Sequence, residues 1–273
     1  MLRVFVDSGS SIKQKEKKTL NVEIIPLKIL LGDREYSDGI DLSIDYFYSQ
    51  LIDNKLFPKT SLPSLDETEK QIMEFVRQGD EVLVLPISSG ISGTYNTFRI
   101  MFEEIPQVRV IDTKTAVGGV RILVEEVNKY RDKGMDFIVQ KVEELIPRIR
   151  VAAIPETLEY LHQGGRLSKA AYVAGSMAQV KPIITFEDGK VKVMTKAIGL
   201  KRSMTMLAKL VADECDPDYL IVPSYTYSNK NLIELIKMTD HKFLPAMGHQ
   251  DNLDPAIACH WGPNAFGYIF VKK

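Results

Sequence analysis

Short β-branched runs bounded by turn residues alternate with longer stretches of helical character along the whole chain, which restricts it to the α/β class with mostly parallel sheets. Residues 2–6, 22–30, 82–85 and 108–111 read as strands. Between them, Ser64-Leu65-Asp66-Glu67 has the spacing of a capping box and opens a helix toward Gly79, because a Ser hydroxyl and a Glu carboxylate can satisfy orphan amides reciprocally. A second helix is expected after Thr94 and before Pro106, and a third over residues 118–133, where Gly134 offers a left-handed terminus.

The second half has a different style. Residues 151–154 read as a strand and 157–163 as a helix ended by Gly164-Gly165, while 183–186 and 191–194 flank Asp188-Gly189 as a hairpin. A helix over 203–213, a strand at 219–222, a helix over 229–238 and closing strands at 256–259 and 267–271 follow. The expected architecture is two α/β/α-layer domains, residues 1–152 and 153–273. With no Pro-rich linker, internal repeat or low-complexity tract, the halves should pack tightly.

Composition excludes several classes. A chain of 273 residues, 45% hydrophobic and 26% charged, can bury a large core as one large or two modest domains. Its 35 Lys and Arg balance 36 Asp and Glu, which argues against nucleic acid or an anionic membrane as partner. The two cysteines, Cys215 and Cys259, lack a pairwise metal spacing, and a reducing cytoplasm suits them best. No apolar stretch approaches the roughly 18 residues of a spanning helix, and the N-terminus lacks a signal-peptide core, so neither export nor a membrane span is expected.

Phosphate-cradling P-loops, dinucleotide-binding glycine patterns, zincin pairs and C-x-x-C are all missing. The four histidines, at 162, 241, 249 and 260, are scattered, so no metal is expected. Ser88-Ser89-Gly90-Ile91-Ser92-Gly93-Thr94 follows an apolar strand and precedes an expected helix, which collects hydroxyls and amides at a positive helix end, in outline an anion site. The same stretch also reads as an ordinary N-cap with flexible glycines. It is not a nucleophile elbow, since Thr94 stands two residues after Ser92 where a glycine is needed.

In Thr60-Ser61-Leu62-Pro63-Ser64, Pro63 biases Leu62 toward an extended conformation and leaves the Thr60 and Ser61 hydroxyls free to face a cleft or cap their own turn. His260 comes straight after the apolar run 256–259, which would put an imidazole at the carboxyl end of a strand, where open α/β sheets hold ligands. Arg166 suits either an anion or a salt bridge at the domain seam. Lys201-Arg202 reads as a solvated helix start or a docking point.

Taken in order, Asp7-Ser8, Ile25-Pro26-Leu27, Tyr36-Ser37-Asp38-Gly39, the Thr60–Ser64 and Ile87–Tyr95 stretches, Thr157-Leu158-Glu159-Tyr160, Gly164-Gly165-Arg166, Lys181-Pro182-Ile183, His260 and Gly262-Pro263 resemble the DegV family of bacterial fatty-acid-binding proteins nearly end to end. The resemblance implies a long-chain fatty acid threaded between two α/β domains, its carboxylate held by Thr60 and Ser92, with Ser61, Gly93 and His260 as further members of the head-group site. It implies no cofactor beyond that ligand and no catalytic residue. In relatives that work with a fatty-acid kinase, the kinase supplies ATP and phosphorylates the bound carboxylate, which makes Arg166, Lys201 and Arg202 candidates for partner docking.

This chain departs from the family pattern at Leu62, at Asn264 and at Ile198-Gly199-Leu200-Lys201-Arg202, where the last replaces a stretch richer in arginine. Burying roughly fifteen methylenes at about 0.8 kcal/mol each gives a gross term near 12 kcal/mol, far above the roughly 1.5–3 kcal/mol of one hydroxyl-carboxylate hydrogen bond. The tail would supply affinity and the hydroxyls register. Two competing readings are an acyl-transfer or ester hydrolase with Ser92 as nucleophile and His260 as base, and a small-ligand regulatory module.

Overall fold

The structure is a computed structural model that describes residues 1–175, 179–248 and 250–273, so His249 lies outside the described residues. A four-stranded sheet in the order β2-β1-β6-β7 is built from β1 (Leu2–Asp7), β2 (Glu23–Ile25), β6 (Glu81–Leu85) and β7 (Val108–Val110), all parallel. A three-stranded antiparallel sheet joins β3 (Lys28–Leu31), β4 (Arg34–Ser37) and β5 (Lys59–Ser61) in the order β4-β3-β5.

The six-stranded sheet runs β10-β9-β8-β13-β11-β12, from β8 (Ile149–Ile154), β9 (Val180–Glu187), β10 (Lys190–Ile198), β11 (Val222–Tyr225), β12 (Asp251–Asn252) and β13 (Phe266–Val271). Only its β11–β12 ladder is parallel. The α/β class therefore holds, while the expectation of mostly parallel sheets describes the first sheet and not this one. A hairpin joins β9 directly to β10, and neighbours linked that tightly must run antiparallel.

Side-chain alternation distributes each strand between two cores. On β1, Val4 and Val6 enter a central core while Phe5 packs outward with Val82 and Val84 of β6, against the helices Leu65–Arg77 and Thr94–Met101. On β13, Ile269 and Val271 enter the same central core, whereas Phe266, Tyr268 and Phe270 face the helices Leu200–Glu214 and Lys230–Met238. Residues from both halves thus share the central core, around the buried helix Gly118–Lys129.

Several sequence expectations need correction. The single strand at 22–30 is two strands in different sheets, parted at Pro26, which has no N–H to continue a ladder. Ser64 does precede the helix Leu65–Arg77, but its side chain makes no capping bond, and Thr68 Oγ1 donates to the Ser64 carbonyl (2.8 Å). Gly134 does take a left-handed φ of 85°, yet it starts the unforeseen helix Met135–Leu145 and does not end the previous one, which stops at Lys129. The strand placed at 219–222 is β11, Val222–Tyr225.

Residues 256–259, expected as a closing strand, form no strand. They lie inside the helix Pro255–Trp261, with Pro255 in its first turn after Asp254 and Gly262 (φ 68°) at its end. Proline at a helix start and glycine just past its end mark such a segment, but a helix buried on nearly every side shows no polar face by which to tell it from a buried strand.

Candidate functional site

His260 therefore projects from the last turn of a short buried helix, and that helix carries it 200 residues back along the chain to Thr60 on β5. Thr60 Oγ1 and His260 Nε2 are hydrogen-bonded at 2.8 Å. The other ring nitrogen, Nδ1, is sealed from solvent and has no hydrogen-bond partner among the described residues. Burial, with the Arg166 charge as a second cause, pushes the imidazole down to about 3, so the ring is neutral at physiological pH.

Ser92 closes the 87–93 loop at the start of the helix Thr94–Met101. Its hydroxyl bonds that of Thr94 (2.9 Å) and accepts from the Thr94 amide (3.3 Å). Both contacts leave Ser92 at the positive end of the helix, beside Gly93. The loop is clamped from three sides. The Ile87 amide donates to Asp7 Oδ2 (2.9 Å), the Ser88 hydroxyl donates to the Gly189 carbonyl at the β9–β10 turn (2.7 Å), and Arg166 Nε donates to the Ile91 carbonyl (2.9 Å). Burial raises Asp7 to about 7 against the pull of the Ile87 and Gly9 amides.

Thr60, Ser61, Ser92, Gly93 and His260 all line one cavity of about 210 Å³. Its apolar walls come from Leu27, Ile87, Ile91, Leu161, Phe186 and Trp261. Arg166 lines it too, away from Lys201 and Arg202, which are exposed in the first turn of the helix Leu200–Glu214. The Arg166 guanidinium also donates to the Gly164 carbonyl and forms no ion pair with any described carboxylate, although burial lowers its pKa. The sequence had left it between an anion and a seam salt bridge.

A second void of about 20 Å³ borders the cavity, sharing Ala116, Phe186 and Trp261 with it and lined further by Val151, Leu253 and Ile269. No feature of the sequence separated these lining residues from ordinary core. Asn264 adopts the left-handed φ of 59° that a glycine would take at that position. Leu62 lines the cavity mouth. Among the described residues, no group of three or more His, Cys, Asp or Glu could hold a metal ion, and no helix is long and apolar enough to cross a membrane.

Ser92 and His260 are not hydrogen-bonded to each other, since the imidazole bonds Thr60 and the serine bonds Thr94. Nδ1 faces Gly164, where a hydrolytic triad would have a carboxylate.

A DegV domain-containing protein of Staphylococcus aureus is 29% identical over 278 residues, covering 99% of this chain and 98% of that protein. A fatty-acid-binding DegV family protein of Streptococcus agalactiae superposes with a TM-score of 0.89 at 26% identity, covering 100% of this chain and 99% of the other. A stearic-acid-binding protein of Eubacterium ventriosum gives 0.87 at 25% identity, with coverage of 100% and 99%. The sequence pattern of the DegV family of uncharacterised proteins matches residues 1–273, and this chain belongs to that family.

Proposed function

We propose that this protein is a cytoplasmic carrier that holds a long-chain fatty acid, with the carboxylate at Thr60 and Ser92 and the tail running toward the apolar void beyond Phe186 and Trp261. The observation that carries this reading is the convergence of hydroxyls from distant segments with His260 on one cavity whose remaining walls are largely apolar. Ser61 and Gly93 complete the head-group site. Neutral His260 holds the Thr60 hydroxyl in one orientation, so that a single hydroxyl proton can be directed at the ligand. Arg166, which has no carboxylate partner among the described residues, offsets the charge of the acid, and a desolvated carboxylate needs such compensation. The fatty-acid binding of the Streptococcus agalactiae and Eubacterium ventriosum proteins supports the same assignment here.

The chain works in this reading as two lobes, residues 1–152 and 153–273, that meet at the cavity. A fatty-acid kinase is the proposed partner. It would phosphorylate the carboxylate and dock near the exposed Lys201 and Arg202. Nothing in the placement of Ser92 and His260 favours a hydrolase. Native mass spectrometry of protein purified from cells tests the main reading, with an added mass of one long-chain acid expected. A chain that emerges empty and takes up no fluorescent fatty acid would refute it.

A further inference from the structure

We infer that the deep end of the acyl channel is built to pair with an oxygen function on the chain itself, so that this protein takes a fatty acid hydroxylated along its tail as well as an unsubstituted one. The inference rests on the acyl-binding role proposed for the cavity and adds a substrate class to it.

The void beyond Phe186 and Trp261 is apolar except for Ser224. That residue is 4% exposed, and its Oγ has no hydrogen-bond partner among the described residues. Strand alternation gives the direction of its side chain. Val222, two residues earlier on β11, packs against Gly118 of the central helix, so Ser224 faces the same interior side. Beside it in the ladder stands Asp251 of β12, 3% exposed, whose Oδ2 has no hydrogen-bond partner among the described residues either.

A hydroxyl closed off among hydrocarbon loses its bonds to water and regains nothing unless a second polar group arrives. A saturated tail brings none. A tail hydroxyl arriving at that depth would give Ser224 a partner and find one itself, since each can donate and accept. Elsewhere along the apolar channel the same hydroxyl would be stripped of water without return. The channel therefore discriminates by the position of the hydroxyl, and the favoured position lies far from the carboxyl end, because the head-group residues are on the other side of Phe186 and Trp261.

The test is a set of binding titrations on the delipidated full chain with octadecanoic acid and hydroxyoctadecanoic acids whose hydroxyl moves stepwise from mid-chain to the end. One narrow range of positions should bind within about threefold of octadecanoic acid and the others at least about tenfold more weakly. In Ser224→Ala the favoured isomers should fall to the level of the rest while octadecanoic acid changes less than about threefold. A uniform penalty at every position, or a favoured position that survives in Ser224→Ala, overturns the inference and leaves the carrier reading intact. A chain that binds not even octadecanoic acid overturns both. If Ser224→Ala does not fold, the positional profile of the unaltered protein decides alone.

Discussion

Replacing Thr60 by Val removes one hydroxyl at nearly constant shape and separates two roles of the Thr60–His260 pair. Without ligand, the loss is the 2.8 Å bond to His260 Nε2. His260 borders the cavity, so water can reach Nε2 after the substitution, and the penalty is the net value of one hydrogen bond, about 1 kcal/mol, without the larger cost of a stranded buried group. For a chain of this size that lowers the melting temperature by roughly 2–4 °C. With ligand, in the proposed binding mode, a donor to a charged carboxylate disappears, about 1.5–3 kcal/mol, which weakens fatty-acid binding roughly 10- to 150-fold. Thermal melts of the delipidated protein and displacement of a fluorescent fatty acid read the two effects, with Thr60→Ser as the control that restores both. Unchanged affinity in Thr60→Val would refute the reasoning even if the melting temperature falls as expected, because the hydroxyl would then serve the fold alone.

Two further perturbations probe the surroundings of the site. Burial raises Asp7, Asp38 and Asp251 each to about 7, with the charge of Asp254 adding to the effect on Asp38. A carboxyl whose folded pKa lies above its unfolded value near 4 holds a proton that the unfolded chain has lost. Its contribution therefore falls as pH rises through about 4 to 7, by about 4 kcal/mol per group, and is flat above. Denaturant unfolding should show Asp251→Asn gaining on the unaltered protein as pH climbs through that window, and a constant difference between the two would contradict the burial argument. Gly164→Ala would set a methyl on His260 Nδ1 and 2.9 Å from the Tyr160 carbonyl, costing about 1–3 kcal/mol and pushing the imidazole off Thr60. At Gly93 an added methyl meets only Leu62 among the described residues, at 3.5 Å, so Gly93→Ala should leave calorimetric stability nearly unchanged while Gly164→Ala lowers it.

Local chemistry accounts for what was legible in the sequence. Asp188-Gly189 was readable as a hairpin because both residues must take positive φ, and they do, at 49° and 76°. The helix beginning at Thr94 and its hydroxyl-bearing approach were readable for the same kind of reason, since the loop chemistry lies within a few residues. The helix Pro255–Trp261 carried its boundary signals in Asp254-Pro255 and Gly262, but its uninterrupted apolar interior imitated a strand. The three-stranded sheet holding Thr60 was not legible, because each of its strands has only three or four residues and depends on neighbours for its pairing.

From the sequence alone came the α/β class, the family, and the residue types able to grip an acid: Thr60, Ser61, Ser92, Gly93 and His260. Their meeting in one cavity was a tertiary result, as was the arrival of Arg166 beside them and of Ser224 in the apolar void behind. Hydroxyl, imidazole and guanidinium are properties of single residues and survive in any listing of the chain. The proximity of Thr60 to a histidine 200 positions away, and the largely apolar walls around both, exist only once the sheets have packed around a common core.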